Sequence, residues 1–298
     1  MDDVLKHWQG LGYYARARNL HRAAQVIQER HQGTFPTEFA DILALPGIGP
    51  YTAGAICSIA LGRETPIVDA NVIRVLCRYF GLRGDPKSPN VQDQLWTLAK
   101  ELIPTGQASA FNQGMMELGA LLCQSKPECS RCPVQDGCIA FSSGKPEALP
   151  EFAPKPEFTR QTDICAIVRH PQKEHCLLLV QRPQEGLWGG LWEFPRVTQE
   201  EEESNADAAG RAAREIAGLQ VNTAATVLTT VRHGVTTRKI TLIAVECQLI
   251  GPDTPAPPTG FTAAWVPGVD VDRLALSSPQ AKLWKQLQSL NMQLSLFG

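Results

Sequence analysis

Four cysteines fall in one short run, Cys123-x5-Cys129-x2-Cys132-x5-Cys138. Four thiolates this close suit a tetrahedral zinc ion or a 4Fe–4S cluster, and spacing alone does not choose between them. The other five cysteines (Cys57, Cys77, Cys165, Cys176, Cys247) sit in apolar sequence, where a buried free thiol is the ordinary state. No export signal precedes them, so the clustering favours metal over disulfides. A second chemical feature is the stretch Leu45-Pro46-Gly47-Ile48-Gly49-Pro50-Tyr51. Pro50 stands where a helix starts, since its missing N–H is not needed there. The glycines allow backbone angles and close approaches that other residues resist. This reads as a helix, a tight hairpin and a second helix whose first N–H groups form a phosphate site. An acid, Asp69, follows at the head of the next helix. It is suited to capping that helix, and a carboxylate fixed there also stabilises a nearby cation.

The elements that must position these groups are helical over residues 1–140. Helices are predicted over 16–31, 37–45, 50–61, 69–80, 89–103 and 108–122, joined by short Gly/Pro loops. Residues 141–160 carry Pro146, Pro150, Pro154 and Pro156 without periodicity and read as an extended linker. Residues 161–298 read as mixed α and β. Strand pairs are expected at 164–168 with 176–180 and at 229–231 with 240–245, and helices at 208–216 and 280–287. Glu200 to Glu203 reads as a solvated acidic loop.

At 298 residues the chain accommodates two domains with proper cores. The net charge is −2, and residues 1–140 hold 13 basic and 13 acidic side chains. Nucleic-acid binding must therefore come from local clusters, of which Arg16, Arg18 and Arg22 form the best, and from backbone N–H groups. There is no long apolar run and no signal peptide, so a cytoplasmic monomer with no membrane contact is expected.

The hairpin stretch with Asp69, and Gly12-Tyr13-Tyr14-Ala15-Arg16-Ala17-Arg18 upstream of it, resemble the adenine-specific mismatch DNA glycosylases, the MutY family of the helix–hairpin–helix base-excision superfamily. The resemblance implies an all-α helix–hairpin–helix glycosylase domain with a four-cysteine loop over 1–140. After the 141–160 linker it implies an α+β Nudix-like recognition domain over 161–298. It makes Asp69 the catalytic Asp, assisted by Asn71, with the Tyr51 hydroxyl in the pocket. In relatives that also cut the strand, Lys stands at the Tyr51 position and forms a Schiff base, which Tyr cannot do. Tyr13 matches the aromatic that wedges into the duplex while adenine is flipped out. Arg16, Arg18, Gly47, Ile48 and Gly49 fall in the DNA-binding set. The cofactor implied for Cys123, Cys129, Cys132 and Cys138 is a 4Fe–4S cluster, although the first gap is five residues where the family has six.

The Nudix-like resemblance rests on 177–183 and on Gly186-Leu187-Trp188-Gly189-Gly190-Leu191-Trp192-Glu193-Phe194-Pro195. The paired glutamates that hold Mg²⁺ in Nudix hydrolases are absent after Arg214-Glu215, which points to recognition rather than hydrolysis. The family's lesion-reading loop, Phe-Ser-His, is replaced by Val235-Thr236-Thr237, in which Thr236 keeps a hydroxyl for a base edge. The family's general acid, a Glu, belongs to helices preceding Gly12, and here Met1 stands eleven residues before it. Binding is therefore expected to exceed cleavage. Near the end, Gln293-Leu294-Ser295-Leu296-Phe297 resembles the peptide by which bacterial repair proteins hold the sliding clamp. The expected function is monofunctional removal of adenine opposite 8-oxoguanine or guanine in duplex DNA. The alternative is a non-catalytic lesion-DNA binding protein.

Overall fold

The computed structural model describes residues 1–154 and 157–295, with the side chains of 225 and 291–295 left aside. Two compact units emerge, Arg22–Lys155 and Met1–His21 together with Pro156–Gly298.

The first of these is helical. After α1 (Asp2–His7), helix α2 (Ala15–Arg30) leads into it, and α3 (Phe39–Leu43), α4 (Pro50–Ala55), α5 (Ala70–Phe80), α6 (Pro89–Glu101), α7 (Ala108–Leu121) and α8 (Ile139–Ser142) follow. Helix α4 continues through a π-helical turn, Ile56–Ala60. The helix expected over 37–45 is shorter, because Glu38 is still extended and caps α3. The core is a seam of α5 and α6: Val72, Leu76 and Cys77 pack on Val91, Leu95 and Ala99. Those positions repeat at helical spacing, which is why the helices were legible. Part of the Pro-rich stretch docks on this unit. Leu149 is buried and its carbonyl accepts from Arg78 Nε at 2.9 Å, while Glu151 pairs with Arg83 and with the Gly84 N–H.

The other unit is a mixed seven-stranded sheet. Its strands are β1 (Thr159–Arg169), β2 (Cys176–Gln181), β3 (Trp192–Glu193), β4 (Arg196–Thr198), β5 (Val221–Val235), β6 (Arg238–Leu249) and β7 (Thr262–Pro267). The order is β3-β2-β1-β6-β5, with β4 on β1 and β7 on β2; β1 and β6 run parallel. Alternation along β1 sends Ile164, Ala166 and Val168 toward α9 (Asn205–Ala217). Cys165 and Ile167 pack on the opposite face against Leu283, Trp284 and Leu287 of α11 (Ser278–Ser295). Helix α9 approaches closely because its sheet face is alanine: Ala208, Ala209, Ala212 and Ala213 are fully buried. The short α10 (Gly268–Val271) follows β7. Met1–His21 belongs to this unit, where Leu5, Tyr14 and Ala17 pack on Leu191 and Ala275.

The acidic loop is not wholly solvated. Glu203 is 13% exposed and accepts two 2.8 Å hydrogen bonds from Arg211, which also donates to the Thr198 carbonyl. Arg211, rather than Arg214, therefore ties α9 to the loop before it. These bonds, with burial opposing, hold the Glu203 carboxyl down at about 2 from an ordinary 4.5. A depressed carboxyl gives stability that is complete above its ordinary value and lost as pH falls through its folded one. Acid unfolding should therefore show a component between about pH 4.5 and 2. Arg211→Ala should remove that component and cost about 2 kcal/mol at neutral pH, read by denaturant melts. An unchanged acid limb in the variant would contradict this.

Candidate functional site

In the helical unit the hairpin is built as its residues dictate. Gly47 takes φ +79°, in the left-handed region. The Ile48 N–H donates to the Leu45 carbonyl at 3.1 Å, and Gly49 caps α4 with Pro50 in its first turn. Gly54 lies in the same helix, and its close approach to the next loop explains its place. A Cβ there would sit 2.2 Å from the Pro66 carbonyl oxygen. The Gly54 carbonyl also accepts from Ser58 Oγ at 2.8 Å and Thr65 Oγ1 at 3.1 Å. Asn112 fixes the Thr65 carbonyl at 2.9 Å. The loop leading to Asp69 is thus pinned to α4 and α7.

Asp69 caps α5, and its carboxylate is held by both oxygens. Oδ1 accepts from the Val72 N–H at 2.7 Å and Oδ2 from Asn71 Nδ2 at 3.0 Å. Cap and fixed carboxylate are therefore one arrangement. Asn71 is held in turn, since Arg74 Nη2 donates to its Oδ1 at 2.9 Å. Arg74 also donates to the carbonyls of Gly119 and Cys123, each at 2.5 Å. Gly119 is required there, because a Cβ would lie 2.7 Å from that of Asn71. A chain of bonds thus runs Asp69–Asn71–Arg74–Cys123. Tyr51, in the first turn of α4, is 39% exposed, with its hydroxyl 3.7 Å from Met116 Sδ.

Cys123, Cys129, Cys132 and Cys138 line one small cavity with Arg78. Among the described residues no group of three or more His, Cys, Asp or Glu is arranged to hold a metal ion. Four thiols lining one cavity are a donor set that suits either a zinc ion or a 4Fe–4S cluster. Burial and the neighbouring thiols push the Cys129 thiol up, and Arg78 opposes them. Arg78 is 3% exposed, donates to Cys123 Sγ at 3.4 Å and to the Gln124 carbonyl at 2.5 Å, and anchors the loop on α5.

The sheet-bearing unit holds an open cleft of about 550 Å³. Residues 10–15, 186–188 and 231–236 form its walls, with the start of α11. Arg18, Arg232 and Lys282 line it, and no lining residue is a carboxylate. Tyr13 stands on its rim with the ring 81% exposed and φ +46°, a strained conformation for a bulky residue. Arg16 lies 5.8 Å from that ring. Tyr14, by contrast, is buried, 5% exposed. Arg18 is oriented by the Gly189 carbonyl at 2.8 Å, and burial lowers its pKa. Thr236 forms the two-residue turn between β5 and β6 with Thr237, at φ +49°, and its hydroxyl donates to the Val235 carbonyl at 2.7 Å. Gln293 and Leu294 fall in the last turn of α11, their side chains undescribed, while Leu296 and Phe297 lie outside the described residues.

Sequence reasoning passed over several residues. Arg74, Gly54 and Gly119 gave only weak signals, a glycine inside a helix and an arginine one turn after the acid.

Residues 1–101 match the family described as HhH-GPD superfamily base excision DNA repair protein, and residues 164–286 match the NUDIX domain. The chain thus carries a helical region that matches the HhH-GPD family and, after it, a region that matches the NUDIX domain. Curated relatives include adenine DNA glycosylases. That of Buchnera aphidicola subsp. Acyrthosiphon pisum is 39% identical over 203 residues, covering 68% of this chain and 57% of its own. The human protein is 34% identical over 337 residues, covering 97% of this chain and 61% of its own. The mouse protein is 37% identical over 247 residues, covering 69% and 48%. The chain therefore spans about half to three-fifths of these relatives. Among the described residues no helix is long and apolar enough to cross a membrane.

Proposed function

We propose that this chain is an adenine DNA glycosylase that hydrolyses the N-glycosidic bond of adenine opposite 8-oxoguanine or guanine and leaves the strand intact. The observation that carries the reading is the Asp69 carboxylate, fixed by Val72 and Asn71 at the head of α5 beyond the hairpin. Departure of the base leaves an oxocarbenium-like sugar, and a pre-oriented anion stabilises that cation without reorganising. The N–H groups of Gly47 and Gly49, on either side of the Ile48 N–H that closes on the Leu45 carbonyl, hold a strand phosphate. The Tyr13 ring enters the stack beside the mispair, and the cleft behind it, basic and free of carboxylates, takes the lesion strand with Thr236 at a base edge. Tyr51 follows the hairpin in the first turn of α4 and carries no amine, so no Schiff base forms there.

The thiols of Cys123, Cys129, Cys132 and Cys138 would hold a 4Fe–4S cluster, whose contribution is to fix the loop carrying Lys126 and Arg131 toward phosphate. With protein in excess over an A·8-oxoG duplex, free adenine should appear while the strand breaks only after alkali. Binding without any adenine release would favour the non-catalytic lesion-binding reading; strand breakage without alkali would overturn the monofunctional one.

The tail Gln293 to Phe297 fits a partner groove in which the Gln amide sets register and Leu294, Leu296 and Phe297 fill apolar space, as in peptides that hold the bacterial sliding clamp. Such peptides bind at roughly micromolar strength, about −8 kcal/mol. Deleting residues 293–298 should abolish clamp binding in calorimetry with the melting temperature unchanged. Undiminished binding after the deletion would sink the assignment.

A further inference from the structure

Tyr13 is held in the open by a neighbour. Its ring is mostly exposed, and its φ of +46° is unfavourable for a bulky residue. Such a conformation persists only where the surroundings over-determine it. Here the surroundings are the loop between α1 and α2. Leu5 and Tyr14, both buried, anchor it on either side against Leu191 and Ala275. Within the loop, Trp8 Nε1 donates to the Gly12 carbonyl at 3.1 Å, and the Leu11 N–H donates to the Trp8 carbonyl at 3.1 Å. Gly10 and Gly12 take φ +92° and +67°, which lets the chain double back toward Trp8.

The Arg16 guanidinium reaches both aromatic rings of this loop. Its Cζ lies 5.4 Å from the Trp8 ring centroid and 5.8 Å from that of Tyr13. Both distances are within the reach of a cation–π contact. Its Nη2 donates to the Leu11 carbonyl at 3.4 Å, and its backbone N–H donates to the Tyr13 carbonyl at 2.8 Å. Among the described residues Arg16 pairs with no carboxylate, and no other ring or cation stacks on Tyr13. A guanidinium is planar and weakly hydrated, which suits it to an aromatic face. The sequence places Arg16 in a basic cluster with Arg18 and Arg22, as if for phosphate. In the fold its charge is turned onto two rings instead.

We propose that Arg16 is the positioning residue of the wedge: stacked on Trp8, it holds the Tyr13 ring upright for entry into the duplex and does not grip a phosphate. This rests on the reading of Tyr13 as the ring that enters the stack. A ring free to turn against its loop is competent for only part of the time, and apparent affinity falls by that fraction. Trp8 is the floor of the arrangement. It is partly buried against the cluster of Leu5 and Tyr14 and tied through its indole N–H to Gly12. Trp8 therefore fixes where the guanidinium lies, and the guanidinium fixes the ring.

The test uses the full chain and a duplex with uncleavable 2′-fluoroadenosine opposite 8-oxoguanine. A 2-aminopurine next to the lesion reports, by its fluorescence, when a ring displaces its stacking neighbour. Tyr13→Ala should lose the fluorescence change and weaken binding about tenfold. Arg16→Met keeps the stem without the charge. It should weaken binding about fivefold and reduce the fluorescence change of the bound complex, with the salt dependence unaltered. Arg16→Lys should recover part of both losses. In the Tyr13→Ala background, adding Arg16→Met should have no further effect, because the ring it positions is gone. If Tyr13→Ala matches the unaltered protein, the wedge reading itself fails. If Tyr13→Ala shows its losses and Arg16→Met shows none, the Arg16 assignment alone is overturned. A loss in Arg16→Met that persists in full without Tyr13, with a salt slope shallower by about 0.9, marks a phosphate contact and also overturns it.

Discussion

Asp69→Asn is expected to slow adenine release by about 10²–10³-fold, the size seen when one pre-oriented electrostatic stabiliser is removed. The substitution separates charge from fold. Asn caps helices about as well as Asp, so the bond to the Val72 N–H survives through the amide oxygen. The other oxygen becomes an NH₂ facing Asn71 Nδ2, and that contact is lost. Melting temperature should change by only a few degrees while the single-turnover rate collapses. Asp69→Ala removes the cap as well and should cost a further ~1 kcal/mol of stability. If the Asn variant released adenine at the parent rate, Asp69 would be a cap and nothing more.

The second large effect concerns the cysteine loop. Protein prepared without oxygen should be brown and carry about four irons per chain, as four thiolate ligands to a 4Fe–4S cluster require. Cys129→Ser should lose the colour and most of the iron. Because Arg78 and Arg74 tie this loop to α5, the loss reaches the helix that Asp69 caps. Binding free energy at a structural metal site is folding free energy. A loss of about 4 kcal/mol would lower the melting temperature by roughly 10 °C for a unit of this size. Stoichiometric zinc without iron in the parent protein would refute the cofactor, and an unchanged melting point in the variant would refute its structural role.

Much of this was legible in the chain. The helices of the first unit follow from apolar spacing, as in Val72, Leu76, Val91 and Leu95. The hairpin follows from Gly47, Gly49 and Pro50, and Asp69 declared itself by its place before a helix. Less legible were contacts between elements distant in sequence. Glu203 reads as one of several loop acids until Arg211 is seen to bind it. Gly119 is an unremarked glycine in α7 until Asn71 is found against it. The packing of Met1–His21 with the sheet-bearing unit depends on Leu5 and Tyr14 meeting Leu191 and Ala275, more than 170 residues away, which no local pattern encodes.

Stabilisation of a cationic sugar by the Asp69 carboxylate shows most directly in binding, independent of turnover. The measurement is the affinity of the parent chain and Asp69→Asn for duplexes carrying, opposite 8-oxoguanine, either a cationic pyrrolidine abasic analogue or its neutral tetrahydrofuran counterpart. A carboxylate a few ångströms from the cation should favour the charged ligand by about 10²-fold in the parent, within the range that Coulomb's law allows at a protein surface. That preference should hold in the parent and disappear in Asp69→Asn, with the neutral duplex bound equally by both. The same preference in both proteins would contradict it.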